Sequence, residues 1–277
     1  MSVQVESATL PATSPAARRR RVFSVVLRDF YVMRRSVMRV LEIVYWPTIE
    51  VLIWGYLSVF LQARRVPAVV AALLGGVLLW QVLFRSQTEV SIAFLEDIWS
   101  RNLLNVFVSP LTAGEYLAGI IVFGALKLVV NVLLMAGLAL ALYGFGITRL
   151  GLALVPFMAL LLLMGWALAI VTIGVILRFG QGAEVIAWAL AFAFQPFSAV
   201  FYPVTVLPPL MRAIAHAVPA SYVFEGMRSV LAGHGLHWST LGAAALLDLL
   251  YVAGALWFFA RMLHRVRASG GLSRFGE

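Results

Sequence analysis

No cysteine occurs anywhere in the 277 residues, which excludes disulfides and thiolate-held metals and leaves the compartment open. Lysine occurs once, as Lys127, and it follows Leu126 rather than a glycine. A P-loop needs a lysine directly after a glycine to reach nucleotide phosphates, so this chain does not bind nucleotide in that way. Charge is scarce as well: 12% of the residues are charged and 62% are hydrophobic, with a mean hydropathy of +0.96. A water-soluble domain carries roughly a quarter charged residues. Half that share marks an integral membrane protein, and no stretch has the composition of a soluble domain. Internal repeats are also absent.

What is present is a series of apolar runs. Six are expected to span the membrane, over residues 43–61, 66–84, 116–143, 150–177, 185–211 and 238–260. Residues 1–20, a Ser-, Ala- and Pro-containing tail that ends in arginines, are expected to be disordered. One transmembrane domain then covers 21–277. The run after Arg21 is no secretory signal, because Arg28, Asp29, Arg34, Arg35 and Arg39 interrupt it. It reads instead as a basic amphipathic helix at the membrane surface. The net charge of +9 does not indicate a nucleic-acid partner, since the arginines cluster at the ends of apolar runs. With the N-terminus inside, fifteen arginines fall on the inner side and five on the outer. That bias places both termini in the cytoplasm.

Two segments break the pattern of plain apolar runs. In residues 88–115, Leu95, Trp99, Leu103 and Val106 recur at helical spacing, with Ile98 and Phe107 beside them. Glu96, Asp97 and Arg101 fall on other faces, so the spacing predicts an amphipathic helix, which Ser109-Pro110 closes. Such a helix either lies on the membrane or docks into another protein. The second segment, residues 194–228, holds Pro196, Pro203, Pro208, Pro209 and Pro219. Five prolines forbid one straight helix, and the expected break falls near Pro203. Short helices over 207–217 and 222–231 either dip back into the outer leaflet or form a proline-rich outer loop.

With both segments in view, the sequence resembles the membrane subunit of type-2 ABC transporters. Phe94-Leu95 through Trp99, Arg101 and Leu103-Leu104 to Val108-Ser109-Pro110-Leu111, with Gly114-Glu115 after it, looks like that family's cytoplasmic coupling loop. Phe201-Tyr202-Pro203 with Leu207-Pro208 looks like its break in the fifth span. Pro219 with Glu225-Gly226-Met227-Arg228 looks like the segment that follows. The resemblance implies an all-α permease in a bacterial inner membrane, working as a homodimer with two copies of a separate ATPase. ATP and magnesium would then sit on the partner, and this chain would bind no cofactor and catalyse nothing itself. It also implies that Leu95, Glu96, Asp97, Ile98, Trp99, Arg101, Asn102 and Leu103 meet the ATPase. Trp99 would be the buried anchor, with Asp97 and Arg101 orienting the helix through charge pairs. Spans one and five would line the pathway with Tyr45, Trp46, Glu50, Trp54, Phe194, Gln195, Phe197, Ser198, Phe201 and Tyr202, unless these aromatics simply face lipid.

Three charges lie within spans: Glu50, Lys127 and Asp248. Charges at that depth are costly and usually functional or paired, so Lys127 is expected to pair with Glu50 or Asp248 rather than to form a proton pathway. Two other classes of protein fit less well. An intramembrane enzyme would need a site, yet His234-Gly-Leu-His237 lacks the glutamate of H-E-x-x-H and His216 and His264 complete no ligand set. Ser198 and Ser221 likewise have no base that the sequence places beside them. A secondary transporter is usually marked by repeats, which are missing. The cargo stays open among a lipid-linked glycan, a lipo-oligosaccharide and an amphipathic drug-like molecule.

Overall fold

A computed structural model describes residues 14–62 and 67–268. The tail before residue 14, Arg64, Arg65 and Arg274 therefore lie outside the described residues. Ten α-helices follow in order, and no strand occurs among the described residues. They are α1 (Pro15–Arg34), α2 (Val37–Gln62), α3 (Pro67–Trp99), α4 (Leu103–Val108) and α5 (Ala113–Tyr143), then α6 (Leu154–Phe179), α7 (Glu184–Phe194), α8 (Pro209–Ala217), α9 (Pro219–Leu231) and α10 (Trp238–Ala268). α1 begins earlier than the tail expected over residues 1–20 allows. Pro15 takes the first helical position and the Ser14 hydroxyl accepts from the Ala17 amide at 3.1 Å, so the helix is capped from there.

Four helical segments are long and apolar enough to cross a membrane: Val37–Leu61, Ala113–Tyr143, Ile147–Phe179 and Trp238–Ala268. These agree with four of the six expected spans. α3 begins with an apolar half, but Arg85 and Glu89 enter its middle and it runs on without a break to Trp99. The fifth run falls short for a different reason. Its helix stops at Phe194, a 3-10 turn over Gln195–Phe197 follows, and Ala199 adopts φ +56°. The break therefore lies at Pro196 to Ala199 rather than at Pro203, because Pro196 cannot donate and ends the ladder first.

α6 is the post around which the rest packs. Buried residues make up 72% of its apolar stretch, against 22% to 39% in the other three. Membrane helices gain little from apolar burial alone, so close backbone approach matters, and small residues permit it. Gly165 illustrates this, since a Cβ there would stand 1.8 Å from Ser86 Oγ and 2.7 Å from the Leu83 carbonyl of α3. Gly165→Ala is expected to cost about 1–3 kcal/mol by overpacking. The midpoint of thermal aggregation in detergent should fall, whereas Gly137→Ala, which meets nothing within 4 Å, should leave it unchanged or raise it.

The core has two ends. At one, here called the base, Val25 of α1 packs with Phe94, Leu95, Ile98, Leu103, Tyr116 and Ile120, and with the far ends of α6 and α10. At the other, Val223, Phe224 and Met227 of α9 pack among Leu79, Leu83, Phe157, Leu161 and Leu241. α8 and α9 match the two short helices expected over 207–217 and 222–231, with α9 starting earlier at its proline.

Candidate functional site

The base is built from α1 upward. Arg21, Val25 and Arg28 sit four and three residues apart, which aligns them on one stripe of α1. Val25 enters the contact where Gly119 of α5 has no side chain; a Cβ there would stand 2.5 Å from it. Arg21 then reaches Glu115 with Nε at 2.9 Å and Nη2 at 2.7 Å. Glu115 is itself part of a cap: the Thr112 hydroxyl accepts from its amide at 3.2 Å, and its carboxylate accepts from the Thr112 amide at 2.9 Å. One residue thus caps α5 and holds α1.

Arg28 makes the second tie. Its Nη2 donates to Asp97 Oδ2 at 2.8 Å, the same oxygen that accepts from the Tyr116 hydroxyl at 2.7 Å. Asn102 Nδ2 donates to the other oxygen at 3.2 Å. Burial disfavours the Arg28 cation, yet Asp97 and Asp29 outweigh it and hold its pKa above the ordinary value. Burial pushes the Asp29 carboxyl up, against the pull of Arg28. A third tie joins Arg39 of α2 to Glu96 at 2.7 Å.

These contacts alter the expected roles within residues 95–103. One continuous surface helix is absent: α3 ends at Trp99, and α4 starts at Leu103. Between them the Arg101 amide donates to Ile98 and the Asn102 amide to Asp97, both at 2.9 Å, with Arg101 at φ +55°. This is a Schellman turn with arginine in the position glycine normally takes. Leu95, Ile98 and Leu103 are buried in the protein's own core. Asp97 is buried too, so its carboxylate orients α1 and α5 rather than standing free for a partner. Trp99 lies off that buried stripe, because the turn interrupts the spacing that aligned it with Leu103. Its indole is 47% exposed, beside exposed Arg101, at the corner of the base.

Of the expected pathway residues, Trp54 and Phe201 are brought together, stacked with ring centroids 4.6 Å apart and planes at 16°. Tyr45 and Trp46 touch each other at 5.3 Å and are both exposed. Phe194 meets Tyr251 of α10. Gln195 and Phe197 form the 3-10 turn, the Ser198 hydroxyl donates to the Phe194 carbonyl at 2.8 Å, and Tyr202 donates to the Pro196 carbonyl at 2.8 Å. Glu50 accepts from Gln81 of α3. Lys127 pairs with neither Glu50 nor Asp248, contrary to expectation, but with Glu89. The unbroken α3 carries Glu89 past α5, which sequence spacing within the spans did not anticipate. Asp248 is fully buried, and neither carboxyl oxygen has a hydrogen-bond partner among the described residues. No group of three or more His, Cys, Asp or Glu able to hold a metal occurs among the described residues.

The resemblance implied an all-α membrane protein, and the described residues form ten α-helices and no strand, with four segments long and apolar enough to cross a membrane. The profile of the ABC-2 type transporter family matches residues 21–232, three quarters of the chain. The chain belongs to that family. It is a permease component of an ABC transporter, a multi-pass membrane protein. No curated protein matches it. In this permease, Arg28, Arg39, Glu89 and Tyr116 were missed by sequence reasoning. The seven-residue spacing of Arg21 and Arg28, opposite acids at 97 and 115, was the available signal.

Proposed function

We propose that this permease is the membrane half of an ATP-driven exporter, seated in a bacterial inner membrane with its base and both termini in the cytoplasm. α3 and α7 join the four long apolar segments to make six crossings, and α8 and α9 lie on the outer side. Two permease chains form a homodimer and engage two copies of a separate ATPase, which carries the ATP and magnesium. The cargo is amphipathic or lipid-linked, and it moves outward along α2 and the broken fifth crossing, past Trp54 and Phe201.

One observation supports docking at the base more than any other: the Trp99–Arg101 corner. A half-exposed indole ends α3 beside an arginine held in a left-handed conformation, which costs roughly 1–2 kcal/mol relative to glycine. Strain retained beside an exposed aromatic suits a surface shaped for a partner. Bound there, the ATPase would pull on Asp97 through α3 and hence on α1 and α5 together. A helix resting on lipid would use any large apolar residue at 99 equally well.

Two substitutions test the reading. Trp99→Ala should lower recovery of the ATPase with the permease by about thirtyfold or more, the effect of a buried anchor contributing about 2 kcal/mol. Arg101→Gly should raise thermal stability while weakening coupling of hydrolysis to transport. Normal complex formation and normal transport by Trp99→Ala would remove the basis for docking at this corner.

A further inference from the structure

A cavity of about 420 Å³ opens at the base between α1, α2, α3 and α5, with α7 closing one side. Sites for drug-sized molecules fall in the range of roughly 300–1,000 Å³. Its position matters as much as its size. Ile43 of α2 lines it, and Trp46, Glu50 and Trp54 follow three, seven and eleven residues later on the same helical face. Trp54 is the residue stacked on Phe201. On the other side Trp188 of α7 lines the cavity, and Phe192 follows one turn on, against Phe84 of α3. The cavity therefore lies at the basal end of the α2 and α7 faces that the proposed cargo path follows.

Its lining carries four cations and five carboxylates, a net charge of −1. Arg28 bridges Asp29 and Asp97, and Arg39 holds Glu96. Lys127 holds one oxygen of Glu89, and Arg85 stands 3.8 Å from the other. Every lining cation thus has its carboxylate. Glu42 of α2 is the acid left over, with no ion pair or hydrogen bond among the described residues. It is exposed, and so is Trp188 at 45%, which places both at the opening. No other ring and no cation rests on the Trp188 indole among the described residues. The remaining walls include Ile43, Ile92 and Phe123. An unbalanced charge in a cleft with such walls acts more strongly than one on open surface, because the low-dielectric sides focus its field.

Taking the exporter reading as given, we infer that this cavity is the cytoplasmic loading site for an amphipathic monocation. Its charge is met by Glu42 and the face of the Trp188 indole, the aromatic that attracts cations best. Its apolar body fills the space against Ile43, Ile92 and Phe123. A lipid-linked diphosphate would bring further negative charge to a cleft whose cations are all engaged. A neutral glycan would leave both Glu42 and the apolar walls unused.

Equilibrium binding of tetraphenylphosphonium to the full-length permease in detergent tests the site without the ATPase. Tetraphenylborate, the same shape with the opposite charge, is titrated separately. The parent should bind the cation about tenfold more tightly than the anion, or better. Glu42→Gln should weaken cation binding by about tenfold, and Glu42→Lys should reverse the preference, a gain that misfolding does not produce. Trp188→Ala should weaken it by about fivefold, and Trp188→Phe should restore most of the loss. Cation binding unchanged in Glu42→Gln, or equal binding of the two ions by the parent, would overturn the inference. Efflux of tetraphenylphosphonium from cells carrying the complete transporter separates the loading site from the exporter reading. Efflux lost in Glu42→Gln supports both. Efflux unaffected by that variant keeps the exporter and overturns the loading site. Binding with the expected dependence but no efflux supports the site and counts against the exporter.

Discussion

Asp97→Ala should release α1 from the permease and abolish transport, a larger effect than its place on a polar surface loop would suggest. Its carboxylate serves three donors at once: Arg28, Tyr116 and Asn102. Removing one partner of a buried ion pair costs roughly 3–5 kcal/mol when both are sealed from water. Here the Arg28 side chain is 30% exposed and keeps Asp29, so the cost falls near the lower end of that range, about 3 kcal/mol. The buried Tyr116 hydroxyl is left without its acceptor, which adds to the damage. Limited proteolysis should cut at α1 in the variant and spare it in the parent. The double variant Arg28→Ala/Asp97→Ala should recover part of the loss, because no unpaired guanidinium then remains. Trp99→Ala should leave α1 protected, and this difference separates the internal role of Asp97 from the surface role proposed for Trp99. Equal protection of α1 in Asp97→Ala and parent would count against the tie.

Much of this architecture was legible because membrane composition leaves few alternatives. Runs of apolar residues at 116–143, 150–177 and 238–260 had to be long helices, and they are parts of α5, α6 and α10 with their flanking turns. Thr112 and Glu115 form a capping box that marks the start of α5. Prolines at 209 and 219 begin α8 and α9, the position where a missing amide costs least. Facing was less legible. Helical spacing put Trp99 on a stripe with Leu95 and Leu103, but spacing is meaningful only while the helix continues. A turn at Ser100 to Asn102 rotated the chain, leaving Trp99 outside and Leu103 inside. Partner choice was not legible at all. Lys127 lies within an apolar run and Glu89 in the mixed segment after the second run, and only the packing of α3 against α5 joins them. Asp248 shows the same limit from the other side, since nothing in its sequence context marks it as a buried carboxyl without a partner.

Arg228→Ala should loosen the break after α7 and cut transport about tenfold or more while leaving the base intact. α7 and its 3-10 turn cover 14 residues, at most roughly 21–24 Å of helix against about 30 Å of hydrocarbon. In the proposed six-crossing arrangement the chain beyond must therefore satisfy its backbone without a helix, and α9 supplies the partners. Arg228 Nη1 donates to the Ala199 carbonyl at 2.8 Å, and Nη2 donates to Glu225 at 3.0 Å. Glu225 in turn accepts from the Val204 amide at 2.6 Å. Ala199 itself is held at φ +56° and is fully buried, a conformation that persists only when its surroundings over-determine it. Between these two anchors sits Phe201, stacked on Trp54, so the clamp fixes the aromatic that joins α2 to the break. A charge-assisted hydrogen bond contributes about 1.5–3 kcal/mol, which corresponds to at least a tenfold shift toward an open segment. Because the chain has no cysteine, Tyr202→Cys provides a single reporter in each background. Its labelling by a small maleimide should run about tenfold faster when Arg228 is alanine. Ala199→Gly should relieve the strain and raise stability by about 1 kcal/mol, yet slow labelling no further, since the clamp remains. Unchanged labelling in Arg228→Ala would mean that the Trp54–Phe201 stack alone holds the break closed.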